Sequence, residues 1–190
     1  AHIADEFAEF YLKNPIRQRA IFAHSSGTVA LKALEALNPD LVGVFYPLQT
    51  FTKGISADWS QIPIFLEGST PAAEALLTQV AQKLSNRIQY MDSKERLKLH
   101  LGAVFASNYA NFMWYLATST GQSDISVYAP LIKEQIRKTL SLGPGAAMTG
   151  PARRGDHTTI SKHMDLLDGQ NKKLYDLLAD MISSHFCNED

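Results

Sequence analysis

The feature that most constrains this chain is a change of pattern at Asp92. Before it, short apolar runs alternate with amphipathic stretches; after it, strand-like runs stop. The runs Ala20–His24, Leu41–Tyr46, Ile62–Gly68 and Arg87–Asp92 have the length and the β-branched or aromatic content of strands. Residues 2–13 set Ile3, Phe7, Phe10 and Tyr11 at helical spacing, with Asn14-Pro15 as a stop. Residues 28–37 put Leu31, Leu34 and Leu37 on one side of a helix, and residues 71–85 open with Pro71, which suits a first turn. Residues 49–61 read as loop. Strands alternating with helices imply crossover connections and a largely parallel sheet, hence an α/β domain over residues 1–92. Four strands are few for a doubly wound sheet, and the chain opens without Met inside a helical pattern. The expectation is a domain whose N-terminal part is missing from this chain.

Residues 93–190 predict an all-α domain. A long helix runs over 93–121, with Ser93 as its N-cap and Glu95 behind it, short of a strict capping box. Further helices follow over 124–142, 157–169 and 171–186, with glycines at the breaks.

Charge and cysteine usage remove several function classes. With 18 basic and 19 acidic residues the net charge is −1, without the basic excess of a nucleic-acid or membrane-surface protein. No apolar run reaches the roughly 20 residues needed to span a bilayer. The single cysteine, Cys187, allows neither a disulfide framework nor a thiolate zinc site, which fits a cytoplasmic setting.

The long helix carries the most informative polar residues. Successive residues turn by about 100°. Leu97, Leu101, Val104, Phe105, Asn108 and Phe112 then form one apolar stripe, which places Asn108 inside it in need of hydrogen-bond partners. His100, Ser107 and Asn111 fall within roughly 20° of one line beside it. An imidazole there can act as acid or base, and an amide can orient a carbonyl or carboxylate, as on the wall of a cleft between domains. The competing reading is a helix whose polar residues satisfy its neighbours.

Three loops add candidates. Ala23–Thr28 (AHSSGT) follows a strand and opens a helix, where free N–H groups and the hydroxyls of Ser25, Ser26 and Thr28 suit an anion. Gly27 permits close approach; plain N-capping by Ser26 or Thr28 is the alternative. A serine-hydrolase reading of Ser25 or Ser26 is weak, since G-x-S-x-G is absent and a His24 adjacent in sequence does not imply triad geometry. Gln49, in Tyr46–Phe51, is a polar candidate at the same sheet edge. In Gly150–His163, Asp156 suits a helix N-cap, and Arg153 or Arg154 suits bidentate capture of a carboxylate or phosphate. A metal site at His157 and His163 is disfavoured, because a spacing of six sets them on opposite sides of a helix.

With these residues placed, the segments HSSGTVALKAL, GVFYPLQTF, IPIFLEG, LKLHLGAVFASNYANFMWYLA and TGPARRGD resemble the family of Rossmann-like proteins with a C-terminal domain of unknown function 2520, over essentially the whole chain. That family is related in architecture to ketopantoate reductase, pyrroline-5-carboxylate reductase and the 6-phosphogluconate and β-hydroxyacid dehydrogenases. The resemblance implies a Rossmann-like NAD(P) domain followed by a helical, 6-phosphogluconate-dehydrogenase-like dimerisation domain, with NADP or NAD as cofactor and a small anionic carbonyl or imine substrate. His24 and Ser25 would flank the cofactor. Ser25, Ser26, Gly27, Gln49, Ser107, Arg153 and Arg154 would meet the substrate, and His100, Asn108 and Asn111 would do the chemistry. The G-x-G-x-x-G fingerprint is absent; GPGAAM at Gly143–Met148 follows no strand and lacks the third glycine. Related dehydrogenases use a lysine with an asparagine one turn on, where this chain has His100 and Val104. A non-catalytic dimeric module that binds a dinucleotide or small acid is the alternative. Phe112–Leu116, apolar nearly all round, suit a homodimer through the helical domain.

Overall fold

A computed structural model describes residues 20–34, 37 and 40–186. The helix expected over residues 2–13 and Cys187 lie outside the described residues, as does part of the helix expected over 28–37. The chain divides into two compact units, residues 1–116 and 117–190.

The first unit holds a four-stranded sheet in the order β1 (Phe22–His24), β2 (Val42–Pro47), β3 (Ile64–Gly68), β4 (Ile88–Tyr90). β1 runs parallel to β2, with His24 opposite Val44. β3 runs antiparallel to β2, with Tyr46 opposite Phe65, and β4 is parallel to β3. The sheet is therefore mixed, not largely parallel as the alternation implied. The cause is the link from β2 to β3. It holds only a 3₁₀ turn at Trp59–Gln61, and parallel neighbours need a crossover, usually helical, that this link lacks. The strand returns antiparallel, and the Leu48 N–H donates to the Pro63 carbonyl at 2.9 Å beside the turn-back.

Alternation along the strands divides the core between two faces. On one, Phe45, Ile64, Leu66 and Ile88 meet Leu77 and Ala81 of α1 (Pro71–Ala81). α1 starts where its sequence predicts: the Thr70 hydroxyl caps Ala73 N–H and Pro71 fills the first turn. On the other face, Val44, Tyr46 and Phe65 pack against Leu99 of α2 (Ser93–Ala103). Residues 28–37 had read as a helix; their first described turn is a 3₁₀ turn, Leu31–Leu34, and Leu34 and Leu37 pack on Val42.

α2 has a full capping box, with Asp92 as N-cap and Glu95 as its partner. The expected cap, Ser93, is one residue too late, and its hydroxyl serves another purpose described below. After Ala103 the helix continues as a π-helical stretch, Val104–Tyr109, and then as α3 (Ala110–Gly121).

The second unit is helical. α4 (Ile125–Leu142) is capped by Asp124, and α5 (His157–Asp165) and α6 (Gly169–Phe186) follow a 3₁₀ turn at Ala152–Arg154. The Ser183 hydroxyl donates to the Ala152 carbonyl at 3.0 Å, tying α6 to that turn. Among the described residues no helix is long and apolar enough to cross a membrane.

Candidate functional site

The candidate site lies at the carboxyl ends of β1 and β2, the edge where α/β sheets commonly place ligands. Three elements meet there. β2 delivers Tyr46 near its end, the loop after β1 delivers His24–Thr28, and α2 delivers His100. The Tyr46 hydroxyl lies 3.0 Å from His100 Nδ1. The two rings meet edge on, 6.1 Å between centroids. Tyr46 is 8% exposed, and burial raises its pKa, so it stays a phenol at neutral pH.

The loop after β1 also lies against the imidazole. A Cβ added at Gly27 would lie 2.4 Å from His100 Nδ1 and 2.9 Å from its Cβ, so only glycine lets the backbone come this close. Gly27→Ala should move the whole ring. Under the proton-carrying role proposed for His100 below, turnover should fall by about 10²-fold, the cost of misplacing a reacting group by ~1 Å. Steady-state kinetics check this, and parent-like turnover would refute it.

Within the loop, His24 Nδ1 accepts from the Ser26 N–H at 3.2 Å, and Ser26 Oγ accepts from the N–H groups of Thr28 and Val29 at 3.2 and 3.1 Å. Ser26 thus acts as the local cap. The N–H donors of Ser26, Thr28 and Val29, expected to face an anion, are bonded within the loop, and Ser25 and Thr28 are its exposed hydroxyl residues.

His24 Nε2 is buried without a hydrogen bond, although the ring as a whole is half-buried. Burial, and then the Arg96 guanidinium, lower its pKa below the ordinary 6.5, against smaller opposing effects of the Ala30 backbone and Glu67. The folded state therefore binds fewer protons at His24 than the unfolded chain. Stability present above the unfolded pKa of 6.5 is lost as pH falls from there toward the lowered folded value. His24→Asn keeps an acceptor for the Ser26 N–H and removes the titration. Melts at pH 7, 6 and 5 should show a shallower acid loss in the variant; identical slopes would refute the assignment.

Beneath the loop lies a buried network. Arg96, 1% exposed, ion-pairs through Nη1 with Glu67 and donates through Nη2 to the Val29 carbonyl at 2.7 Å and to Ser93 Oγ at 3.1 Å. Ser93 Oγ lies 2.8 Å and 2.9 Å from the Glu67 carboxylate oxygens and accepts from the Leu31 N–H at 3.0 Å. One guanidinium thereby joins β3, α2 and the loop after β1. Arg96, Glu67 and Tyr46 do not stand out in the sequence as site residues. The available signals were a lone carboxylate closing an apolar strand and a tyrosine ending a buried one.

The described hydrogen bonds do not join Asn108, Asn111, Ser107 or Gln49 to the Tyr46–His100 pair, and Arg153 and Arg154 belong to the second unit. Asn108 is exposed, contrary to its expected place in a buried stripe, and Leu101 and Phe105 of that stripe are 56% and 60% exposed. Asn111 is exposed as well and Ser107 half-buried. The π-helical stretch between His100 and Asn111 turns less per residue than an α-helix, so angles counted at 100° do not carry across it. Gln49 folds onto its own loop, accepting from the Thr50 N–H at 2.8 Å. In the second unit, Arg153 lies 5.5 Å over the Phe186 ring and Arg154 is exposed. Asp156 caps α5 through the Thr159 N–H at 3.0 Å, as its position suggested. His163 Nδ1 lies 2.7 Å from the Tyr175 hydroxyl.

The mixed sheet followed by helices is Rossmann-type by its similarity to a solved structure. The chain belongs to the family described as Domain of unknown function (DUF2520), whose sequence profile matches residues 62–182. It is similar to the structure of a "putative NADP oxidoreductase" from Bacteroides fragilis at 35% identity and a TM-score of 0.86, covering 96% of this chain and 71% of that one. It also shares the fold of protein TM1727 from Thermotoga maritima, at 21% identity and a TM-score of 0.69, over 90% of this chain and 70% of that one. No curated protein matches the sequence.

Proposed function

We propose that this protein is an NAD(P)-dependent oxidoreductase that reduces a small carbonyl or imine, with His100 as the group that carries the proton. The observation that carries the reading is the imidazole held by Tyr46 and Gly27 at the ligand edge of the sheet. The similarity to a protein named as an NADP oxidoreductase supports it.

The residues at this edge fit the nicotinamide end of a dinucleotide better than its phosphates. Ser25 offers an exposed hydroxyl, while the N–H groups of Ser26, Thr28 and Val29 are committed within the loop. His24 and Ser25 would flank the cofactor, which when bound supplies the hydride. The chain's own part is the proton. His100 Nδ1 faces Tyr46, so Nε2 is the nitrogen left to act. The neutral ring passes its Nε2 proton to the substrate oxygen or nitrogen as Nδ1 takes the Tyr46 phenol proton; water then returns a proton to Nε2 while Nδ1 gives its own back to the phenolate.

Titrating NADPH and NADH into the full-length natural protein, with energy transfer from Trp59 or Trp114 as signal, tests the reading. Micromolar binding followed by cofactor oxidation on a carbonyl and imine panel is expected. Binding without oxidation on any substrate would favour a dinucleotide-binding module, and no binding would overturn the reading.

The protein is also proposed to self-associate. Leu97, Leu101, Phe105, Tyr109 and Phe112, all about half exposed or more, recur at helical spacing along one helix. Light scattering after gel filtration should give the mass of a dimer; a monomer would refute this.

A further inference from the structure

We infer that Tyr46 is the positioning residue for His100, fixing its neutral ring in the Nε2–H tautomer. The inference rests on the reading of His100 as the proton carrier, but its main test does not. Tyr46 stands next to last in the β2–β3 pairing, opposite Phe65, with the two rings 6.4 Å apart. Its backbone is held by the ladder and its ring by the core cluster of Val44, Phe65 and Leu99. The hydroxyl therefore has one place to be. A buried phenol hydrogen needs an acceptor, and among the described residues the hydroxyl's hydrogen-bond partner is His100 Nδ1, at 3.0 Å. If Nδ1 carried the proton instead, it would point at the phenol oxygen and leave the buried phenol hydrogen without an acceptor. The satisfied arrangement has the phenol donating to Nδ1 and the ring proton on Nε2. Burial works in the same direction by keeping the phenol protonated. Gly27 completes the clamp, because its backbone occupies the space into which the ring would otherwise swing.

The result is a neutral oriented imidazole whose Nε2–H is a ready donor to a carbonyl oxygen or imine nitrogen. Its orientation comes from a phenol and not from a carboxylate. Tyr46 would not touch the substrate; it acts through His100, and a tautomer that is already correct need not be selected when the substrate arrives.

The test is long-range ¹⁵N–¹H correlation spectroscopy on protein with ¹⁵N-labelled histidine, well above the titration range of imidazole. The His100 signals are assigned by their loss in His100→Gln. In the parent, Nε2 should appear as the protonated nitrogen and Nδ1 as the bare one. In Tyr46→Phe, which keeps the packed ring, the two should move toward averaged shifts as tautomers mix. Protonated Nδ1 in the parent, or an unchanged pattern in Tyr46→Phe, would overturn the inference. Neither arm needs cofactor or substrate, so failure of the reductase reading leaves the result intact. Where a substrate is in hand, Tyr46→Phe should lower kcat about tenfold with KM nearly unchanged. A loss confined to KM would point to substrate contact and overturn the positioning role.

Discussion

His100→Ala is expected to lower turnover by about 10²–10⁴-fold, the usual worth of a positioned acid or base, while NADPH affinity stays close to that of the parent. The split follows from the geometry. His100 meets Tyr46 and Gly27, and neither contact holds a cofactor phosphate. Removing the ring leaves a cavity beside Gly27 and a phenol without its acceptor, but it leaves the Arg96 network and the loop's own hydrogen bonds in place. The measurement is kcat on the best substrate of the panel together with an NADPH titration of the same variant. Parent-like turnover would remove His100 from the chemistry. An equal loss of turnover and cofactor affinity would mean that the ring supports the binding surface instead.

The positions of most strands and helices were legible because periodicity and punctuation are local. Pro71 after Thr70, Asp156 before His157 and the apolar run of β2 each carry their reason within a few residues. The direction of β3 was obscured by a global rule. Alternation suggested crossovers, yet the loop read over residues 49–61 already lacked the helix that a parallel partner needs. The site was half legible. His100 stood out as an imidazole at a defined point on a long helix, and Gly27 as a glycine in a strand-to-helix loop. Asn108 is exposed because the apolar stripe it was read into is itself exposed at Leu97, Leu101, Phe105 and Phe112, and periodicity cannot tell which face of a helix is covered. Tyr46, Glu67 and Arg96 were missed because their meaning depends on partners 29 to 67 residues away, as the Arg96–Glu67, Tyr46–His100 and Arg96–Val29 bonds show. A buried charge announces itself only once its burial is known.

Arg96→Ala should destabilise the first unit by about 3–5 kcal/mol, the usual cost of removing one member of a buried ion pair. The guanidinium is almost wholly enclosed and has committed both terminal nitrogens, to Glu67 through Nη1 and to Val29 and Ser93 through Nη2. Its removal leaves a largely buried carboxylate facing an emptied space, and leaves the Val29 carbonyl without its partner. Arg96→Lys should recover only part of the loss, because a single ammonium cannot reproduce the fork that reaches carboxylate and carbonyl together. Arg96→Met with Glu67→Met should be more stable than Arg96→Ala, since it removes the orphaned charge and fills the volume. Denaturant unfolding of the three variants checks the order. Hydrogen exchange adds a local test: the Val29 and Leu31 amides sit in the loop that Arg96 and Ser93 hold, so they should exchange faster in Arg96→Ala even under conditions where the sheet remains protected. If all three variants unfold like the parent, the network contributes nothing to stability. If the sheet and loop lose protection together, the guanidinium holds the whole unit and not the site loop in particular.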